Sequence, residues 1–127
     1  MFSRLQALQT GMNRKKLPIG IQTLREIREE NHYYVDKTGF ALRLITEGKN
    51  YFLSRPRRFG KSLFLDTLAE LFEGNEPLFR GLYCHSRWDW SITYPVIRLN
   101  LGLRQLQSPG ELCRHLNQQL LVNRQQL

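Results

Sequence analysis

Along the first half of the chain the apolar positions come in short, broken groups. Leu17, Ile19 and Ile21 surround Pro18 and Gly20 and predict a turn, which enters a short helix over residues 23–30 with Thr23 as cap and Glu26 at the capping-box spacing. Tyr33, Tyr34 and Val35 form a brief apolar run that ends at Asp36. Over residues 38–47, Phe40, Ala41, Leu44 and Ile45 fall on one helical face, with Asp36 or Thr38 available as cap and Gly48 at the stop. Asp36 is read as a cap rather than a ligand.

The second half is more strongly patterned. Tyr51, Phe52 and Leu53 sit in β-favouring company between a Gly-Lys-Asn turn and a Pro-Arg segment, which predicts a buried strand. Over residues 61–73 the spacing becomes helical: Leu63, Phe64, Leu65, Leu68, Ala69, Leu71 and Phe72 leave a narrow polar strip of Asp66, Thr67, Glu70 and Glu73. That pattern predicts a mostly buried helix, stopped by Gly74 and Asn75. Residues 76–94 read as loop with aromatic anchors at Phe79, Tyr83, Trp88 and Trp90. They are core or cover rather than a base-stacking platform, since no basic residues alternate with them. Pro95 opens a second strand candidate over residues 96–101. Ser108, Pro109 and Glu111 then form a capping box ahead of a helix carrying Leu112, Leu116 and Leu120.

These elements together predict an α/β protein: strand, loop and helix, a second strand, and flanking helices. Residues 1–12 carry no organised pattern and are expected to be a disordered extension, with the native start at Met12 and one domain over residues 13–127. With 127 residues, 41% hydrophobic and 24% charged, the chain has the composition of a single globular domain. No run approaches the roughly 18 apolar residues of a membrane span. The opening segment lacks a secretory h-region, so a cytoplasmic protein without membrane association is expected. Cys84 and Cys113 are then reduced thiols, both read as small buried apolar residues, and neither Cys-His pair has zinc-site spacing. A net charge of +8, from 19 basic and 11 acidic residues, favours polyanionic partners without choosing among them.

The chemistry concentrates between the first strand and the helix after it. A phosphate-binding Walker A loop reads G-x-x-x-x-G-K-[ST]: its amides wrap the phosphates, its Lys neutralises them, and its hydroxyl ligates magnesium. Here Gly60, Lys61 and Ser62 supply three of the four fixed positions, and Arg55 replaces the first Gly. A strand before and a helix after the loop aim the helix dipole and free amides at an anion. Pro56 removes one amide from the cradle, and Arg57 and Arg58 can compensate with charge. The candidate nucleotide contacts are Arg55, Pro56, Arg57, Arg58, Phe59, Gly60, Lys61, Ser62 and Leu63, with Ser62 also the candidate magnesium ligand.

Five blocks, residues 16–21 (KLPIGI), 34–38 (YVDKT), 55–62 (RPRRFGKS), 78–82 (LFRGL) and 94–97 (YPVI), together resemble the AAA-ATPase-like family and occur in its order. The resemblance spans about residues 15–103. It implies a P-loop NTPase domain of AAA-like type, usually at the front of a protein several hundred residues long and often followed by a restriction-endonuclease-like nuclease domain. It also implies ATP and Mg2+ as ligands, with Lys61 on the phosphates, Ser62 on the metal, and Arg at the first loop position as the family's own variant. One departure is Asn100, where the family tends to place an acidic residue. No apolar strand ending in Asp or Glu follows the loop, so the element that holds magnesium and helps orient water is missing. The chain is therefore expected to be a truncated N-terminal part of such a domain that binds ATP without hydrolysing it. Two alternatives remain open: a basic module that contacts nucleic-acid phosphates, and an inactive truncated protein. Nucleic acid is also a partner that the longer parent protein could engage.

Overall fold

A computed structural model of the chain describes residues 14–102 and 107–126. The expected disordered extension over residues 1–12, the start at Met12, Asn13 and Leu127 lie outside the described residues. Within them the order is α1 (Leu24–Glu29), α2 (Thr38–Glu47), α3 (Lys61–Phe72), a 3-10 turn (Glu76–Phe79) and α4 (Pro109–Gln126).

Helix α1 differs from its expected cap. Thr23 occupies the N-cap position, but its side chain makes no cap hydrogen bond and reaches only the Glu26 carboxylate at 3.5 Å. The Leu24 amide instead donates to Asp66 Oδ2 on α3 at 2.7 Å. A carboxylate is the stronger acceptor and also suits the positive end of the helix dipole. Helix α3 stops as its sequence predicts: Gly74 adopts φ +76°, and the Gly74 and Asn75 amides donate to the carbonyls of Leu71 and Glu70. At α4, Ser108 Oγ accepts the Glu111 amide at 3.3 Å, and the Glu111 carboxylate accepts the Gln107 amide at 2.8 Å.

The core joins α1, α2, α3, the 3-10 turn and the loop after it. Leu24, Ala41, Leu71, Leu78, Phe79 and Cys84 are buried, with Trp88 and Trp90 packed against them. Phe72 meets Trp88 and Tyr94 edge-on, each at 5.6 Å between ring centroids, and Trp90 Nε1 donates to the His85 carbonyl at 2.8 Å. The aromatics of this loop are thus core and cover, except Tyr83, which is exposed beneath Arg87. Cys84 is buried as expected, whereas Cys113 is exposed, on a part of α4 that the core does not reach.

The polar strip of α3 is its buried side. Thr67 is fully buried and Glu70 nearly so, while Leu65 is 59% exposed. Glu70 meets Arg25 and the Asn75 side chain, and Asp66 meets the Leu24 amide and Arg98. The apolar side of α3 (Phe64, Leu65, Leu68, Phe72) lines instead an open groove of about 480 Å³ with Leu44, Ile45 and residues 51–53. A hydrophobic count does not register which polar groups find partners, and these did.

Neither strand candidate pairs within the described residues, where the only β contact is an isolated parallel bridge between Lys16 and His32. Tyr51, Phe52 and Leu53 are exposed rather than buried, Phe52 at 92%. Both the ladder and the burial of a strand come from its neighbours, and none flanks these residues here. Residues 98–100 are held by α4 side chains: Asn123 exchanges two hydrogen bonds with the Arg98 backbone (2.8 and 2.9 Å), and Gln119 two with that of Asn100 (2.6 and 2.8 Å). One turn of helix spans two residues of extended chain, so the two amides stand in for a neighbouring strand along that edge.

Asp66 links α1, α3 and the extended segment. Asp66→Ala should destabilise the chain by about 2 kcal/mol, the scale of lost charge-assisted hydrogen bonds. Urea unfolding would measure it, and Thr23→Ala should cost much less.

Candidate functional site

Residues 55–60 run from the unpaired extended segment into α3. Gly60 is the N-cap residue of α3, in the left-handed region at φ +77° and ψ +21°, and its carbonyl accepts the Phe64 amide at 2.9 Å. An L side chain at this position would strain the backbone, which explains the glycine. Arg58 is also left-handed, at φ +63°. Two such residues bracketing Phe59 turn the chain sharply into the helix.

The loop presents its side chains outward. Arg55, Pro56, Arg57, Arg58 and Phe59 are exposed, Gly60, Lys61 and Leu63 are half-buried, and Ser62 is exposed in the first turn of α3. Among the described residues none of Arg55, Arg57, Arg58 or Lys61 forms an ion pair. Lys61 Nζ donates to the Arg55 carbonyl at 2.7 Å, so the lysine folds back across the loop and closes it. The structure therefore brings the sequence-predicted residues together as one cationic turn at a helix N-terminus.

A second segment, not singled out as part of the site from sequence, lies against this turn. Lys37 Nζ comes within 3.9 Å of where a Cβ on Gly60 would stand. Residues 34–38 are firmly anchored. Asp36 Oδ1 accepts the Thr38 amide (2.9 Å) and hydroxyl (2.6 Å), and Asp36 Oδ2 accepts the Tyr83 amide (2.6 Å). Asp36 thus supports the start of α2, as expected of a cap, although Lys37 holds the N-cap position, and it also ties α2 to the loop at Tyr83. The Thr38 hydroxyl in turn accepts the buried Cys84 amide at 3.1 Å. Burial pushes the Tyr34 hydroxyl pKa up. The signal for this segment lay in its five-residue block, but nothing in the spacing told that it folds onto the loop.

The family model described as AAA-ATPase_like, Predicted AAA-ATPase, matches residues 18–127. The chain belongs to this predicted AAA-ATPase family. Among relatives of the family member described here is an "Uncharacterized protein in vnfD 5'region" of Azotobacter chroococcum mcd 1, 62% identical over 117 residues. The match covers 91% of this chain and 23% of that protein, so the chain spans about a quarter of the relative's length. No solved structure matches this family member. No helix among its described residues is long and apolar enough to cross a membrane.

Asp36 gives the site a pH dependence. Burial pushes its carboxyl up, but the Thr38 hydroxyl, the Tyr83 and Thr38 amides and the Arg28 charge outweigh that and hold the pKa below the ordinary 3.8. A depressed folded pKa means that the stabilisation is full above about 3.8 and is lost as pH falls through the lower folded value. Melting curves should therefore fall on acidification below about pH 4. Asp36→Asn should be less stable near neutrality and lack that component of the decline.

Proposed function

We propose that the chain is the ATP-binding front part of an AAA-like P-loop ATPase domain, with phosphates held by residues 55–62 and magnesium by Ser62. One observation carries this reading: a left-handed glycine starts α3 between three arginines before it and Lys61 after it, and none of these four cations has a carboxylate partner among the described residues. Such a turn gathers positive charge and free amides where a polyphosphate would lie. Lys61 would leave the Arg55 carbonyl for phosphate oxygens. Ser62, exposed in the first turn, fits a single hydroxyl ligand to magnesium, the remaining ligands coming from phosphate oxygens and water. The nuclease domain that the resemblance implies would belong to the longer protein.

The α/β fold is part of the same proposal. Residues 51–53 and 96–101 would be strands of a sheet, and the open apolar side of α3 is the face that such a sheet would cover. Ile97, Leu99 and Leu101 are each at least half exposed, as strand side chains awaiting a neighbour would be. A relative about four times as long offers the length for such strands.

Hydrolysis is a separate matter. Of the carboxylates that follow the loop, Asp66 and Glu73 face Arg98, Glu70 faces Arg25, Glu76 faces His85, Asp89 accepts from Ser91, and Glu111 accepts from Gln107. Each is committed to the fold, and none is free to hold magnesium or orient water. Phosphate release by the 127-residue chain should not exceed that of its Lys61→Ala variant; turnover that disappears in the variant would show a complete active site.

Lys61→Ala should abolish ATP binding measured by calorimetry. Arg57→Ala combined with Arg58→Ala should weaken it about tenfold or more, with affinity falling as salt rises, because a cradle lacking one amide relies on side-chain charge. If the chain is a nucleic-acid module instead, Lys61→Ala will only reduce the salt slope of polynucleotide binding by about one.

A further inference from the structure

The loop at residues 55–62 is poor in amides for a phosphate cradle, since Pro56 contributes none and Arg55 stands where a glycine would open the turn. Its charge is supplemented from elsewhere in the fold. Lys37, at the start of α2, comes within 3.9 Å of the Gly60 Cβ position, and both residues line a cavity of about 310 Å³ beside the first turns of α3.

Three features fix that lysine there. Its backbone carbonyl accepts the Phe40 and Ala41 amides at 3.0 and 3.3 Å, in the first turn of α2. The next residue, Thr38, is fully buried and bonded to Asp36 and Cys84. Asp36, the carboxylate nearest in sequence, has both oxygens occupied by Thr38 and Tyr83, and no ion pair of Lys37 occurs among the described residues. An ammonium beside a cationic turn, with no carboxylate paired to either, is placed so that an anion lying between them would be held from both sides.

We infer that Lys37 is a second phosphate-binding cation of this site, contacting the polyphosphate of the bound nucleotide from the side opposite Lys61. The inference rests on the ATP-binding reading above and adds a residue that lies outside the loop. Lys61 is tethered within the loop and can reach phosphates only by breaking its bond to Arg55, whereas Lys37 comes from a separate element whose position is set by Asp36 and Thr38. The two lysines would enclose the phosphates between α2 and α3, so that binding also fastens residues 34–38 to the loop.

The test measures affinities of ATP and of inorganic tripolyphosphate for the 127-residue chain and for Lys37→Met, Lys37→Arg and Lys61→Ala, with melting curves to verify folding. Lys37→Met should lose about tenfold in affinity for both ligands by the same factor, since the contact is to phosphate and not to the base, and Lys37→Arg should retain most of it. If Lys37→Met does not melt cooperatively, Lys37→Gln takes its place with the same expectation. Unchanged binding in the Lys37 variants, with Lys61→Ala still abolishing it, would overturn the role of Lys37 and leave the nucleotide reading standing. Loss of ATP affinity with tripolyphosphate binding intact would also overturn it, as a contact to the nucleoside instead. Failure of the unaltered chain to bind either ligand would overturn both.

Discussion

Helix α3 meets α1 and the extended segment at Arg98 along its polar edge, beside the buried Leu71 that joins it to the core, and most other features depend on that contact. Asp66 accepts the Leu24 amide at 2.7 Å and faces Arg98 at 2.8 Å, while Glu70, one turn further on, faces Arg25 at 3.2 Å. Thr67 lies fully buried between them, its hydroxyl donated to the Leu63 carbonyl. These carboxylates are tolerated because donors meet them, one on each oxygen of Asp66 and two on Glu70 Oε2, and removing one donor costs more than the bond itself was worth. The arrangement sets the position of α1, the direction of the extended segment at Arg98, and the rotation of α3 about its axis.

That rotation has two consequences at opposite ends of the same helix. It turns Phe64, Leu65, Leu68 and Phe72 toward the open groove that they share with residues 51–53. An apolar face of this extent beside an unpaired extended segment is the kind of surface that proteins normally cover. It also aims the N-terminus of α3, with Gly60 and the cationic turn, toward Lys37 and the start of α2. Cohesion is thus carried by Leu71 and the polar contacts beside it, which leaves the first turn and the groove side of α3 available for partners. The amide clamp of Gln119 and Asn123 serves α4 in the same way, fastening it by backbone hydrogen bonds while Leu120, Leu121 and Val122 stay largely exposed.

Membership of the predicted AAA-ATPase family and the local geometry of the loop fit together at the level of chemistry. The loop departs from the general phosphate-binding pattern by losing a glycine and an amide, and it carries three arginines in compensation. Charge can replace amides in holding an anion, but it does so with less directional precision and with greater sensitivity to salt. A side chain from outside the loop, as proposed for Lys37, would restore some of that precision because its backbone position is fixed by the fold.

The helices at residues 38–47 and 61–72, the stop at Gly74 and the capping box at Ser108 were legible in the sequence, because periodicity, a left-handed glycine and a capping side chain all act within a few residues. The family was legible for the same reason, in a tripeptide and its flanks together with four further blocks. What the sequence could not determine was anything set by residues far apart. The cap of α1 comes from Asp66, 42 positions away, in place of the local Thr23. The polar strip of α3 became the buried side because Leu24, Arg25, Asn75 and Arg98 offered it partners, a choice that hydrophobic counting does not see. Burial of residues 51–53 failed for the converse reason, since a strand is buried only where a neighbour covers it. The position of Lys37 beside Gly60 likewise depends on Asp36 reaching Tyr83 and Thr38 reaching Cys84. Local propensity fixes which elements form, whereas their faces and neighbours are decided by contacts between groups that only the folded chain brings together.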